Sequence, residues 1–222
     1  AIPNIRRVID ACRAAKVPIV YLKFIAGPRE TLIWTWSPTL VPADKCCWKN
    51  HQRRYADIGK EAEVTDIVEE ISPKQGDWIV EKYSYGGFYE TNLHSILRAN
   101  HVEQTIILGA AMPFCVDDTV TGAFDRQYRV FLVADATGAF DEEFAIVRLL
   151  RFVLEVVAGD PEHILGVKAL GRAVVEQVGD EVADQATVEV GGGAAKALVV
   201  VRGGDDLGAT AGAFLQRHRL DS

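Results

Sequence analysis

The sequence predicts a three-layer α/β/α protein with a mostly parallel sheet of about six strands. Three observations lead there. Segments with apolar residues at helical spacing alternate with short apolar runs over most of the chain. The runs are continuous in Val, Ile and Leu, as in strands covered on both faces. With 222 residues, 49% of them hydrophobic, the chain is long enough to bury a core as one domain without staples.

The elements follow in order. Residues Pro3 to Lys16 place Ile5, Val8, Ile9, Cys12 and Ala15 on one helical face, so Cys12 reads as a core residue. Val17 to Phe24 is a short apolar strand. Gly27 to Lys60 has no clear period and holds Pro28, Pro38 and Pro42 with Trp34, Trp36 and Trp48. A loop of that length is usually functional, and its aromatic residues suit either a lid over a small ligand or a subunit contact. Glu61 to Ile71 reads as a second amphipathic helix through Val64, Ile67, Val68 and Ile71, ended by Ser72-Pro73. Asp77 to Val80 is the next strand, and Lys82 follows it, at the end of the strand where open α/β sheets bind ligands, although a lysine there is more often a solvated rim charge. Thr91 to Ala99 is a short helix, Thr105 to Leu108 a buried strand, and Val116 to Arg126 a helix. Arg129 to Ala134 is a strand, Asp141 to Val157 a long helix, and Ala197 to Val201 a buried strand near the far end.

Composition narrows the function. A formal charge of −7 with scattered Arg and Lys carries no basic stripe, so the expected partner is a small molecule and not nucleic acid. The four cysteines, Cys12, Cys46, Cys47 and Cys115, have no metal-ligand spacing and make a poor disulfide framework, which points to a reducing cytoplasm. No apolar run reaches the roughly 18 residues of a membrane span, and no secretory leader is read before the first helix. No second histidine or carboxylate stands at ligand spacing beside His51, so no metal is expected.

The stretch Thr105 to Thr119 organises the chain. A strand runs into Gly109-Ala110-Ala111, and Cys115 falls in the first turn of the next helix. Unpaired N–H groups and the positive end of the peptide dipoles favour a thiolate there, and the same N–H groups can hold an oxyanion. The plainer alternative is a buried cysteine used as a small apolar residue.

At Lys82-Tyr-Ser-Tyr-Gly-Gly-Phe88, and at Gly109-Ala-Ala-x-x-x-Cys115-Val116 followed by Asp135-Ala-Thr137, the chain resembles the isochorismatase-like cysteine hydrolases, a family that includes nicotinamidases and N-carbamoylsarcosine, ureidoacrylate and biuret amidohydrolases. The resemblance covers roughly residues 1 to 170. It implies Cys115 as nucleophile, Lys82 as the cation beside it, and the N–H groups of Ala111 and Cys115 as oxyanion hole, with a cis peptide at Ala110-Ala111. It implies hydrolysis of a C–N bond in a small amide or ureide, without an organic cofactor, in a homo-oligomer. Tyr83, Tyr85, Phe88, Trp34 and Trp36 are candidates for the pocket wall.

The family's first strand, which ends in an aspartate, does not precede the helix at Pro3. Lys196-Ala-Leu-Val-Val-Val-Arg202-Gly-Gly-Asp205-Asp206 resembles it, which suggests a circularly permuted order. One domain, 1–222, would then comprise a main body (1–170), a joining segment (171–195) and the displaced first strand with its loop (196–222). Arg202 stands where the family carries its aspartate, and it cannot take a thiol proton. Asp205 and Asp206 are the nearest carboxylates, and Met112-Pro113 replace the threonine and asparagine of many relatives. A non-catalytic binding or assembly protein of the same fold is the rival. A phosphate loop at Gly191 to Gly193 or Gly203-Gly204 fits poorly, because the first precedes a strand and the second lacks a spaced third glycine.

Overall fold

The computed structural model describes residues 1–28, 45–56, 59–139, 164–165 and 196–202, the last two stretches as backbone. Its elements are α1 (Ile2–Ala14), β1 (Ile19–Phe24), β2 (Gln52–Tyr55), β3 (Lys60–Glu63), a 3₁₀ turn (Glu69–Ile71), β4 (Trp78–Lys82) and α2 (Leu93–Ala99). There follow β5 (Gln104–Ala110), a π turn (Met112–Val116), α3 (Asp117–Asp125), β6 (Arg129–Gly138), β7 (Ile164–Leu165) and β8 (Lys196–Arg202). The helix expected at Asp141 to Val157 lies outside the described residues, as do Trp34, Trp36, Asp205 and Asp206.

Among the described residues the main sheet has the order β4-β1-β8-β5-β6-β7, with every pairing parallel. The strand latest in the chain therefore sits in the middle, bonded to β1 on one side and β5 on the other. Its register pairs Arg202 with Lys23, one rung short of the pairing of Phe24 with Lys82, and Val201 with Gly109. The chain runs outward one way from β1 to β4 and the other way from β5 to β6, so the carboxyl ends of β1, β8 and β5 flank the point where the strand order reverses. That crevice is where open α/β sheets bind ligands.

Helices pack both faces. On one, Ile5, Val8, Ile9 and Cys12 of α1 lie against Tyr21, Ile106, Leu108 and Val133. On the other, α2 and α3 supply Leu93, Leu97, Val120 and Ala123 to a cluster with Val20, Leu22, Val80, Ile107 and Leu132. The three helices among the described residues stop in the same way. Lys16, His101 and Gln127 take left-handed φ values of 56°, 54° and 64°. The next residue's N–H then reaches back five positions: Val17 to Cys12 O, Val102 to Leu97 O and Tyr128 to Ala123 O. This satisfies carbonyls a helix end leaves unpaired and sends an apolar residue into the core, turning the chain toward its next strand.

The helix read over Glu61 to Ile71 is not formed. The chain there is β3, antiparallel to β2, followed by the 3₁₀ turn, so a hairpin also occupies the end of the stretch read as aperiodic loop. The apolar period was real, since Val64 and Ile71 are buried and Ile67 packs against the α1 cluster. An extended chain buries them instead. Val64, Thr65, Ile67 and Val68 are β-branched and weak helix formers. The Glu63 carboxylate accepts from the Thr65 hydroxyl at 2.5 Å and from Asn50 N–H at 3.2 Å, local bonds that compete with a helical ladder.

Candidate active site

Lys82 is the last residue of β4, and its side chain is fully buried. An ammonium has three donors and no acceptor. Here Nζ donates to Ser84 O at 3.0 Å, Tyr85 O at 2.8 Å and Cys115 Sγ at 3.2 Å. All three hydrogens are thus spent, and the cation lies 4.8 Å from the centroid of the Phe24 ring, an attractive placement. Among the described residues no carboxylate bonds to Lys82 or Cys115. A buried cation without a carboxylate is costly, and among the described residues the Cys115 sulfur is the side-chain atom that accepts from it.

Cys115 is positioned from the other side of the strand-order reversal. β5 ends at Ala110, the Ala110-Ala111 peptide is cis as the resemblance implied, and the chain winds into the π turn that holds Cys115 and continues as α3. Pro113 fits this start because its missing N–H would have had no helical partner. The Ala111 carbonyl closes the turn, accepting from Phe114 N and Val116 N at 3.2 Å each. Gly109, with φ of 116°, supplies the backbone bend before it, a conformation that side chains disfavour.

Aromatic rings surround the pair. Tyr85 lies 5.3 Å from Phe114 and 6.0 Å from Phe24, centroid to centroid, and a small cluster of Ala26, Cys46, Cys47 and Trp48 adjoins them. Of the residues proposed from sequence, the structure brings together Lys82, Cys115, Ala111 and Tyr85. Phe88 is buried in the same cluster as Cys115, stacked on Tyr128 at 6.1 Å and with the Arg126 guanidinium 4.8 Å from its ring centroid. Tyr83 is exposed at the rim, its hydroxyl donating to Glu81, which also pairs with Lys49. Phe88 faces Gly122 of α3, and Tyr83 faces water. Arg202 is described as backbone, at the carboxyl end of β8.

Three residues escaped the sequence reading. Phe24 is the cross-strand neighbour of Lys82, which only the sheet register reveals, whereas Phe114 could have been found as the residue before the cysteine. Thr119 stands four residues after Cys115, hence on the same helical face. Its hydroxyl donates to Cys115 O at 2.6 Å and accepts from Gly87 N at 3.0 Å.

A doubly wound parallel sheet with a buried lysine touching a cysteine at its strand-order reversal defines the class of this protein. Residues 1–158 match the sequence model of the isochorismatase domain, and the chain belongs to the isochorismatase family. It is 31% identical over 150 residues to the ureidoacrylate amidohydrolase RutB of Agrobacterium fabrum, covering 64% of either protein. The chain thus spans about 64% of the length of that curated relative. Among solved structures it is similar to N-carbamoylsarcosine amidase from Thermoplasma acidophilum, with 28% identity, a TM-score of 0.53, and 70% of this chain and 78% of that one covered. A cysteine hydrolase from Pseudomonas syringae pv. phaseolicola shares the fold, with a TM-score of 0.58 at 24% identity over 70% of this chain and 73% of that one.

Proposed function

We propose that the chain is a cysteine hydrolase that cleaves a C–N bond in a small amide or ureido compound. The observation that carries the reading is the buried contact between Lys82 Nζ and Cys115 Sγ at 3.2 Å, at the carboxyl edge of the sheet. In this mechanism the Cys115 thiolate adds to the substrate carbonyl, and the N–H groups of Ala111 and Cys115 hold the oxyanion. The tetrahedral adduct expels the amine, which takes a proton as it leaves. Water then cleaves the acyl–sulfur bond and restores the thiol. Lys82 has no hydrogen to spare for the leaving group, so its part is to hold and balance the sulfur. The proton must come from elsewhere, and Asp205 is the candidate with Asp206 beside it.

Two similar proteins, named for ureidoacrylate and N-carbamoylsarcosine, act on compounds that join a carbamoyl nitrogen to a carboxylate. The substrate class proposed here is therefore an N-carbamoyl carboxylic acid, with Tyr85, Phe114 and Phe24 against its body and Arg202 as a cationic partner for its carboxylate. Trp34 and Trp36 are retained as candidates for the lid. The central position of β8 supports the permuted order, with residues 196–222 standing in for the family's first strand and loop. A homo-oligomer is proposed on the family resemblance.

One observation favours a second reading, a disabled relative that binds without turning over: β8 runs Lys-Ala-Leu-Val-Val-Val-Arg and ends without a carboxylate. Ammonia release from a panel of N-carbamoyl carboxylic acids and simple amides tests both. Release by the unaltered chain and none by Cys115→Ser supports the hydrolase. Release by Arg202→Asp alone, a gain of about 10² to 10⁴-fold, establishes the disabled relative and the placement of β8. No release by either removes both the reaction and the strand assignment.

A further inference from the structure

We infer that Thr119 is a positioning residue that sets the distance between the Lys82 ammonium and the Cys115 sulfur; the inference rests on the hydrolase reading above. The Thr119 side chain is fully buried and uses its hydroxyl in both directions. A hydroxyl has one hydrogen, a carbonyl only accepts and an N–H only donates, so the assignment is forced: Oγ1 gives its hydrogen to Cys115 O at 2.6 Å and receives that of Gly87 N at 3.0 Å.

The two partners belong to the two segments that build the site. Cys115 O is the backbone of the nucleophile itself. Gly87 closes the loop that begins at Lys82 and wraps its ammonium with the carbonyls of Ser84 and Tyr85. The Gly87 peptide is held at both ends, because its carbonyl accepts from the Thr91 hydroxyl at 2.6 Å, and Thr91 Oγ1 in turn accepts from Leu93 N at 3.2 Å at the start of α2. The loop is therefore fixed to α2 on one side and to the cysteine turn on the other, and on the cysteine side the Thr119 hydroxyl is a bridge. The close approach depends on residue 87 having no Cβ: one built there would stand 2.4 Å from Leu22 Cδ1 and 3.1 Å from Thr119 Oγ1. Removing the hydroxyl leaves the Gly87 N–H buried without its partner, so the loop must shift to hydrate it and carries the Lys82 cradle along.

The test compares Thr119→Val, which keeps the shape and loses the hydroxyl, with Thr119→Ser, which keeps the hydroxyl. The readout is the rate at which iodoacetamide labels Cys115 at neutral pH in the full chain, with Cys12 as internal reference. Thr119→Val is expected to slow Cys115 labelling about tenfold, the size of one buried hydrogen bond, while Thr119→Ser stays within about twofold. Equal Cys115 labelling in Thr119→Val and the unaltered chain, whatever the change in melting temperature, overturns the inference and leaves Thr119 a purely structural residue. If Thr119→Val does not fold, hydrogen exchange at the Gly87 amide decides: strong protection in the unaltered chain and in Thr119→Ser supports the bridge, and exchange at the rate of an exposed amide overturns it. Failure of the underlying reading looks different, because the unaltered chain would then label Cys115 no faster than Cys12.

Discussion

Replacing Lys82 by Met removes the ammonium and keeps the length of the side chain, and the geometry fixes what should follow. At 3.2 Å, an ammonium and a thiolate attract by about 5 kcal/mol at the effective dielectric of about 20 that suits protein sites. Relaxation and entering water reduce that figure, so a loss of about 10² to 10³-fold in the Cys115 alkylation rate is expected, at about 1.4 kcal/mol per tenfold. Stability should respond far less. The substitution deprives Ser84 O and Tyr85 O of a donor, at about 1 to 3 kcal/mol each, but it also relieves a fully buried charge, a gain of similar size. The two effects oppose, and the net change in unfolding free energy should stay within about 2 kcal/mol. Iodoacetamide labelling followed by peptide mapping, alongside a circular-dichroism melt, measures both. A Cys115 rate within about threefold of the unaltered chain refutes the claim that Lys82 balances the sulfur.

Neighbouring glycines should differ sharply. A Cβ at Gly87 meets Leu22 at 2.4 Å, whereas one at Gly86 meets nothing closer than 3.7 Å, so Gly87→Ala should cost about 1 to 3 kcal/mol in denaturant unfolding and Gly86→Ala little. The same unfolding series against pH should separate two carboxylates of opposite sign. Burial pushes the Asp135 carboxyl up, so the folded state binds that proton more tightly than the unfolded one. The unaltered chain should therefore gain stability relative to Asp135→Asn as pH falls from neutral toward the ordinary aspartate range, and a flat difference contradicts this. The Thr65 hydroxyl holds the Glu63 carboxyl below its usual range, outweighing an opposing effect of burial. Relative to Glu63→Gln its contribution should be present above the ordinary glutamate range and disappear as pH falls through the lowered value; persistence in acid contradicts it.

The sheet was legible in the sequence because interior parallel strands announce themselves as continuous apolar runs. β1, β5 and β8 all do, and each sits between two neighbours. Helix ends were legible to within a few residues for the same reason, since the apolar face fades where the chain turns. The segment from Glu61 to Ile71 misled because burial of Val64, Ile67 and Ile71 satisfies a helical period whether or not a helix carries it. Cys115 was visible at its helix start and Lys82 through the family resemblance, since position alone reads a lysine after a strand as a solvated rim charge. Phe24 and Thr119 were not, because what recruits them is a cross-strand neighbour and a loop amide far away in sequence, contacts that periodicity does not encode. Phe88 and Tyr83 carry the chemistry of a pocket wall, and the structure shows the first packed on Tyr128 and the second bonded to Glu81 at the rim.

The most direct test of the account is a time course of iodoacetamide labelling on the unaltered full chain at neutral pH, resolved cysteine by cysteine. Cys12, Cys46, Cys47 and Cys115 are all buried, so burial alone would make them similarly slow. The account predicts that Cys115 labels first, at least about tenfold ahead of Cys12, because its sulfur has the Lys82 ammonium in contact and a helix start beneath it. Labelling of Cys115 at the pace of Cys12 would contradict it, leaving the family's fold without the family's nucleophile.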